Sequence, residues 1–172
     1  MVMLKPKNIL VPVDFSAQSE QSLKAAMKLA TEAGARVYAL HVIASSMVQC
    51  IDDYCLGDDL VTQMGSSRSA QSTDDYAVTD VMVKQMDALL EKKATNMMAV
   101  LLRKIRGSRR VQLTPVIKKG APYEVILDEA KKKSIDMIII PPHGKASIKD
   151  FFLGSTVDKV VRQAKCTVIV AR

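Results

Sequence analysis

The sequence predicts an α/β fold built on an open, doubly wound parallel sheet, and three observations carry that expectation. Short apolar runs of strand length alternate along the chain with longer segments whose apolar residues recur every three or four positions. The runs "NILVPV" and "RVYALHVI" are nearly continuous in apolar character rather than alternating, as in strands covered by helices on both faces. The loops that follow the runs hold most of the unusual residues, where an open parallel sheet places its ligands.

The segment "NILVPVDF" supplies the first strand. "SAQSEQSLKAAMKLATEAGA" then changes to helical spacing, with Leu23, Ala26, Met27 and Ala30 on one face, Ser16 as N-cap and Gly34 as C-terminal stop. "RVYALHVI" is the second strand, completing a βαβ unit. From Ser45 to about Thr79 the rhythm is lost in a stretch rich in Ser, Asp and Gly, which reads as a long excursion. A helix begins near Thr79, its apolar positions being Val81, Met82, Met86, Leu89, Leu90, Met97, Val100 and Leu101; its methionines read as core filler. Arg103, Lys104 and Arg106 complement the dipole at its end, before Gly107. "VQLTPVI" is the third strand, and "KKGAPYEVILDEAKKK" is a turn and helix with Pro122 in the first turn and Lys131 to Lys133 closing it. "DMIII" is the fourth strand, "GSTVDKVVRQA" the last helix and "TVIV" the last strand.

A chain of 172 residues, 48% hydrophobic and 25% charged, suits one well-filled core, so residues 1–172 are expected to form a single domain with a variable excursion at about 45–79. The net charge of +7 raises the encounter rate with anions without selecting a partner, and four Tyr, three Phe and no Trp offer little for base stacking, which argues against nucleic acid. No apolar run approaches the roughly 20 residues of a bilayer span. The start "MVMLKPKN" lacks the apolar stretch of a signal peptide, so a soluble cytoplasmic protein is expected. Cys50, Cys55 and Cys166 read as reduced thiols, with neither histidine near enough in sequence to complete a zinc site.

Four loops follow the strands: Pro12 to Ser16, Val42 to Ser45, Lys119 to Pro122 and Pro141 to Ser155. In "PPHGKASIKDFFLGSTVDKVV", Gly144 and Gly154 flank a nine-residue insert, and Ser155 and Thr156 stand at a helix start. Glycines let backbone approach an anion closely, the helix start supplies N–H groups and Lys145 adds a point charge, so the stretch reads as a phosphate cradle. Asp14 suits a ribose hydroxyl or Mg²⁺, or else caps the first helix. His143 has no nucleophile in its sequence context and reads as a loop residue; His41, within an apolar strand, reads as a satisfied interior or edge histidine. There is no Walker Gly-Lys-Ser/Thr motif, no placed water-activating base and no arginine finger, so no catalytic residue is assigned.

At these residues the sequence resembles the universal stress protein family. "NILVPVDFSAQSEQSL" is similar to its first strand, Asp turn and helix, "ALHV" to its second strand and "KKGAPYEVI" to its Gly-x-Pro turn; "HGKASIKDFFLGSTVDKVVRQAKCTVIVAR" is similar to its C-terminal signature. The resemblance implies a five-stranded parallel sheet of order 3-2-1-4-5, of the adenine-nucleotide α-hydrolase type, which sets the Asp14 turn beside the Gly144 loop. It implies homodimerisation through the last strand, Thr167, Val168, Ile169 and Val170. In one branch it implies an ATP site with the motif Gly-x-x-Gly-x9-Gly-(Ser/Thr). In this chain the second and third glycines are Gly144 and Gly154 and the hydroxyl is Ser155. The expected nucleotide-binding set is Pro12, Val13, Asp14, Val42 against adenine, Ile140, Pro141, His143, Gly144, Lys145, Gly154, Ser155 and Thr156, with ATP and Mg²⁺ as the implied cofactors and Asp14 as the implied Mg²⁺ contact. Pro141 stands where the motif has its first glycine and has neither an N–H nor access to positive φ, so the phosphate end is expected to survive and the ribose end to be weakened.

Two functions are consistent with the resemblance: a dimeric stress-response module that binds an adenine nucleotide with little or no hydrolysis, or a family member that binds no nucleotide and acts through protein contacts. A related nucleotide-cleaving enzyme would carry a Ser-Gly-Gly-x-Asp-Ser loop after its first strand, and "PVDFSAQS" has no such glycine pair.

Overall fold

A computed structural model of the chain describes residues 5–44, 80–105, 111–142 and 154–171. The excursion at 45–79 with Cys50 and Cys55, the basic residue Arg106 with Gly107, and the site candidates His143, Gly144 and Lys145 all lie outside the described residues. The elements are β1 (Asn8–Pro12), α1 (Ala17–Ala33), β2 (Arg36–Ala44), α2 (Asp80–Lys104), β3 (Leu113–Gly120), α3 (Pro122–Lys132), β4 (Met137–Ile140), α4 (Ser155–Gln163) and β5 (Thr167–Val170). The five strands form one sheet of order β3-β2-β1-β4-β5, parallel throughout, as the sequence implied.

Successive strand residues point to opposite faces, and the sheet therefore sorts its apolar side chains into two layers. Ile9, Val11, Val37, Ala39, Met137 and Ile139 face α1 and α2, where Leu23, Ala26, Met27, Ala30, Met98 and Leu101 meet them. Leu10, Leu40, Ile138 and Ile140 face α3 and α4, where Ile126, Val157 and Val160 close the second layer. Both layers explain why β1, β2 and β4 read as continuous apolar runs.

Helix α1 starts and stops where the sequence indicated. Ser16 Oγ accepts a hydrogen bond from Ser19 N, a cap worth about 1 kcal/mol, and Gly34 ends the helix in the left-handed conformation at φ 71°. Its buried face also takes Ser19 and Ser22, whose hydroxyls donate to the Ser16 and Gln18 carbonyls at 3.0 Å, so neither is buried unsatisfied.

Helix α2 differs from its expected face. Leu90, Ala94, Met98, Leu101 and Ile105 line the core side here, while Val100 is 52% exposed and Met86, Leu89 and Met97 are half-buried. The spacing of large apolar residues drew a stripe wider than the contact; the small Ala94 is what allows close approach. The third strand also runs further than "VQLTPVI", to Gly120, because β2 extends to Ala44 and offers a partner along the whole length. Pro115 is tolerated in β3 because that strand is an edge.

The amino ends of β1 and β4 are clamped by one carboxylate. Asp136 Oδ2 accepts from Lys7 N at 2.7 Å and Asn8 N at 2.8 Å, and Asn8 Nδ2 donates to Ser134 O at 3.2 Å.

Candidate functional site

The chain leaves β1 toward β2 on one side and finds β4 on the other, so the order reverses between β1 and β4. Their registered pairing covers only Ile9↔Met137 and Leu10↔Ile138. By contrast β1 stays paired with β2 to Pro12↔Leu40, and β4 with β5 to Ile140↔Val170. The registered pairing thus ends sooner at the switch point than on either side of it.

The early end of that pairing follows from main-chain direction. Arg36 N donates to Lys7 O and Val13 N to Leu40 O, both at 2.8 Å, so the odd-numbered groups of β1 face β2 and the even-numbered ones, Pro12 included, face β4. On β4, the Ile140 carbonyl accepts from Ala171 N at 2.9 Å, so even positions face β5 and odd ones, Ile139 and Pro141, face β1. The next two rungs after Leu10↔Ile138 would require Pro12 N–H on the Ile139 carbonyl and Pro141 N–H on the Pro12 carbonyl. Proline has no N–H. The two prolines end the hydrogen-bonded ladder at the switch point, where an open parallel sheet places its ligands.

On one side of the switch point lies the turn from β1 into α1. Asp14 Oδ1 accepts from Ser16 N at 3.0 Å and from Ser16 Oγ at 2.6 Å, while Ser16 in turn caps α1. Asp14 therefore reaches the helix one step removed from a cap, by holding the residue that caps it. Between them Phe15 sits at φ 64°, a left-handed conformation rare for an aromatic residue. Its ring lies 4.3 Å from that of His41, and His41 Nδ1 is 2.7 Å from the Val13 carbonyl. A carbonyl only accepts, so Nδ1 carries the hydrogen and donates. His41 is buried, as expected of an interior histidine, and it braces the β1–α1 turn from below. Local sequence did not show this brace, since Phe15 and His41 belong to different elements.

On the other side lies the end of β4. Ile140, Pro141 and Pro142 are buried, and the Pro142 carbonyl accepts from Gly154 N at 3.0 Å, which draws the start of α4 to the sheet edge. Gly154 has φ −59° and ψ 150°, a conformation open to any residue, so its backbone shape does not demand glycine. Asp158 N donates to the Gly154 carbonyl at 2.9 Å, closing the first turn. The N–H groups of Ser155, Thr156 and Val157 have no partner within the helix by its geometry, with Ser155 exposed and Thr156 half-buried.

The remaining site candidates divide by face. Val42 packs on the α3/α4 side together with Ile140. Val13 is buried on the α1/α2 side, and its main chain is used by Leu40 and His41, so it supports the β1–α1 turn through its backbone. Gly120, at the entry to α3, has φ 141°, and a Cβ there would meet Val125 Cγ2 at 2.9 Å; the Gly-Ala-Pro turn thus requires its glycine. Among the described residues no group of three or more His, Cys, Asp and Glu is placed to hold a metal ion. A single carboxylate such as Asp14 suits Mg²⁺ carried on phosphates, which needs only one or two protein carboxylates. Cys166 is half-buried; burial, then the nearby Asp136 charge, pushes its thiol above the ordinary range, which disfavours the reactive thiolate. Among the described residues no helix is long and apolar enough to cross a membrane.

The family model described as the universal stress protein family matches residues 5–172. A universal stress protein of Methanocaldococcus jannaschii is 26% identical over 166 residues, covering 96% of this chain and 94% of its own. The solved structure of universal stress protein UspA from Lactobacillus plantarum superposes with a TM-score of 0.70 at 26% identity, covering 96% of this chain and 97% of that one. A universal stress protein solved in complex with cAMP shares the fold, with a TM-score of 0.52 at 15% identity and 98% of each chain covered.

Proposed function

The chain belongs to the universal stress protein family, and from that premise we propose that it is a homodimeric module that binds ATP or another adenine nucleotide and turns it over slowly or not at all. The observation that carries the reading is the switch point between β1 and β4, with Asp14 following one strand and the amino end of α4 tied to the end of the other by the Gly154–Pro142 hydrogen bond. Orphan N–H groups and the positive end of a helix dipole favour phosphate at that end. Val42 and Ile140 offer an apolar floor on the same face for a base. A protein of this fold holds cAMP, which is in keeping with an adenine ligand. Binding, rather than hydrolysis, is the proposed output, because the sequence carries neither a Walker motif nor a placed base. Asp14 would be the contact for Mg²⁺ carried on the phosphates.

Titration calorimetry with ATP tests this directly. The wild type is expected to bind ATP in preference to adenosine. Gly154→Val keeps an allowed backbone but puts bulk before the helix start, so it should abolish ATP binding while the melting curve stays close to wild type. Unchanged ATP affinity in the folded variant would count against the site. The second reading, a partner-binding module without nucleotide, draws on Pro141, which removes a donor from the motif; absence of adenine nucleotide in the denatured purified protein, together with no heat on ATP addition, would favour it. The dimer is assigned to β5, an edge strand with Ile169 37% exposed.

A further inference from the structure

The opposite end of the sheet, where the strands begin, carries a cavity and a row of cations. The cavity, of about 380 Å³, lies between the carboxyl ends of α3 and α4. Leu127, Ala130, Ile135 and Ala164 give it an apolar lining, and the exposed Lys131 and Lys165 belong to the same lining. Sites for small ligands begin at about 300 Å³, so there is room for a large apolar side chain.

The cations extend beyond the cavity. Registered pairing sets Val37, Ile9, Met137 and Thr167 on one line across β2, β1, β4 and β5. Arg36 stands one residue before that line, and Lys7 and Lys165 stand two. Arg36 alternates with Val37, which packs on the α1/α2 side, so it shares the α3 side with Tyr38. Lys7, Arg36, Lys131, Lys132 and Lys165 are all exposed, and among the described residues none of them forms an ion pair. The helix dipole accounts for Lys131 and Lys132 at the end of α3. It does not account for Lys7, Arg36 and Lys165, which stand where strands begin. Of the acids on this side, Asp136 turns Oδ2 to the N–H groups of Lys7 and Asn8, Glu129 is buried against Lys133 at 3.5 Å, and Asp128 opposes the row from the cavity lining.

We propose that this end of the sheet docks an acidic peptide segment of a partner protein, its carboxylates lying along the row and one apolar side chain entering the cavity. Charge complementarity selects the segment, and the cavity fixes its register. Three strand spacings of about 4.8 Å separate β2 from β5, so the row spans roughly 15 Å, the reach of four or five extended residues. A nucleic acid fits this face less well. Tyr38 is half-buried with the Lys133 ammonium 5.3 Å from its ring centre, which leaves that face of the ring no base to stack on, and an apolar cavity offers a phosphate nothing. The inference stands apart from the nucleotide reading, whose site lies at the carboxyl ends of the strands.

Fluorescence anisotropy with the full chain tests it, the probe being a labelled peptide of about nine residues, all glutamate but for one central leucine. Binding should weaken as salt is raised, and glycine in place of the leucine should weaken it about tenfold, the worth of burying one such side chain. Lys165→Glu should weaken it by about tenfold or more. Lys28→Glu makes the same change of charge at an exposed position on α1 and should alter the affinity less than about twofold. Equal losses in the two variants would reduce the effect to net charge and overturn the inference, as would equal affinity for the two peptides or no binding of either. Tighter binding of an oligo-uridylate of similar length would assign the face to nucleic acid and overturn the acidic partner. Should Lys165→Glu not fold, Lys131→Glu reads the same surface with the same expected loss. Failure of the protein to bind ATP would overturn the nucleotide reading and leave this inference standing.

Discussion

The two edges of the sheet, β3 and β5, are both exposed to pairing and are built in opposite ways. On β3, Val37 N donates to Gln112 O at 2.9 Å, which turns the odd-numbered main-chain groups away from β2; the N–H that Pro115 lacks is therefore one that would have faced outward. Proline here removes an edge donor without breaking the ladder. Lys118 and Lys119 follow, and Lys119 Nζ reaches Asp87 Oδ2 at 3.1 Å and Glu91 Oε1 at 2.9 Å on α2. The β5 edge has neither device. Its residues Thr167 to Val170 carry no charge and no proline, and Ile169 is exposed, as is Val161 on α4. Charge and proline are ways to discourage strand addition, so the difference teaches that one edge is protected from association and the other is left open to it.

The largest effect should come from charging the open edge. Val168 and Val170 pack into the α3/α4 core layer, so Asp at either would threaten folding, whereas Ile169 points to the other face. Ile169→Asp should leave the fold intact and weaken the proposed dimer by about 3 kcal/mol, roughly a hundredfold in dissociation constant, if the residue is buried at the interface. Light scattering after size exclusion reads this, and a wild-type monomer would end the comparison at once. Next in size is Gly120→Ala at the end of the protected edge. Left-handed strain and the 2.9 Å contact with Val125 should together destabilise by about 1–3 kcal/mol in chemical denaturation. An unchanged midpoint would show that Val125 yields and that the turn is not selective for glycine.

Smaller effects sharpen the same contrast. Pro115→Val returns one outward N–H to β3 and should shift stability by no more than about 0.5 kcal/mol, yet increase concentration-dependent scattering. No increase would mean that the lysines suffice. Lys119→Ala should cost less than about 1 kcal/mol, because the ion pairs are exposed, and the loss should vanish in high salt. The hydrogen bond to Glu91, then that to Asp87, hold the Lys119 ammonium above the ordinary lysine range against the opposing effect of burial. A raised folded-state pKa means that this contribution is fully present below the unfolded lysine value and is lost only as pH rises through the folded one, so wild type and Lys119→Ala should differ equally across neutral pH and converge in strong alkali.

Much of this molecule follows from local pattern. The face of α1, its Ser16 cap and Gly34 stop, Pro122 in the first turn of α3 and the apolar runs of the strands rest on residues within a few positions of one another, and each is legible along the chain. The face of α2 was less so, because which of several apolar residues meets the sheet depends on where the helix lies, and Ala94 and Met98 won places that spacing assigned to Val100. Asp14 was legible as a residue of interest, but not its hold on Ser16 or the left-handed Phe15 between them.

What the sequence by itself determined is the order and type of elements, the family likeness that set the strand order, and the loops in which a site would form. Periodicity, caps and turn residues act over a few bonds, so they can be read along the chain. What only the tertiary structure decided is which way each main-chain group faces. Pro12 and Pro141 look alike in the sequence whether their missing donors point to a neighbouring strand or to solvent. That depends on register parity between strands more than a hundred residues apart, and a shift of one residue would reverse it. The same holds for Pro115, whose missing N–H protects an edge only because β3 pairs on its other side. Parallel pairing fixes these directions through contacts distant in sequence, and no local signal carries them.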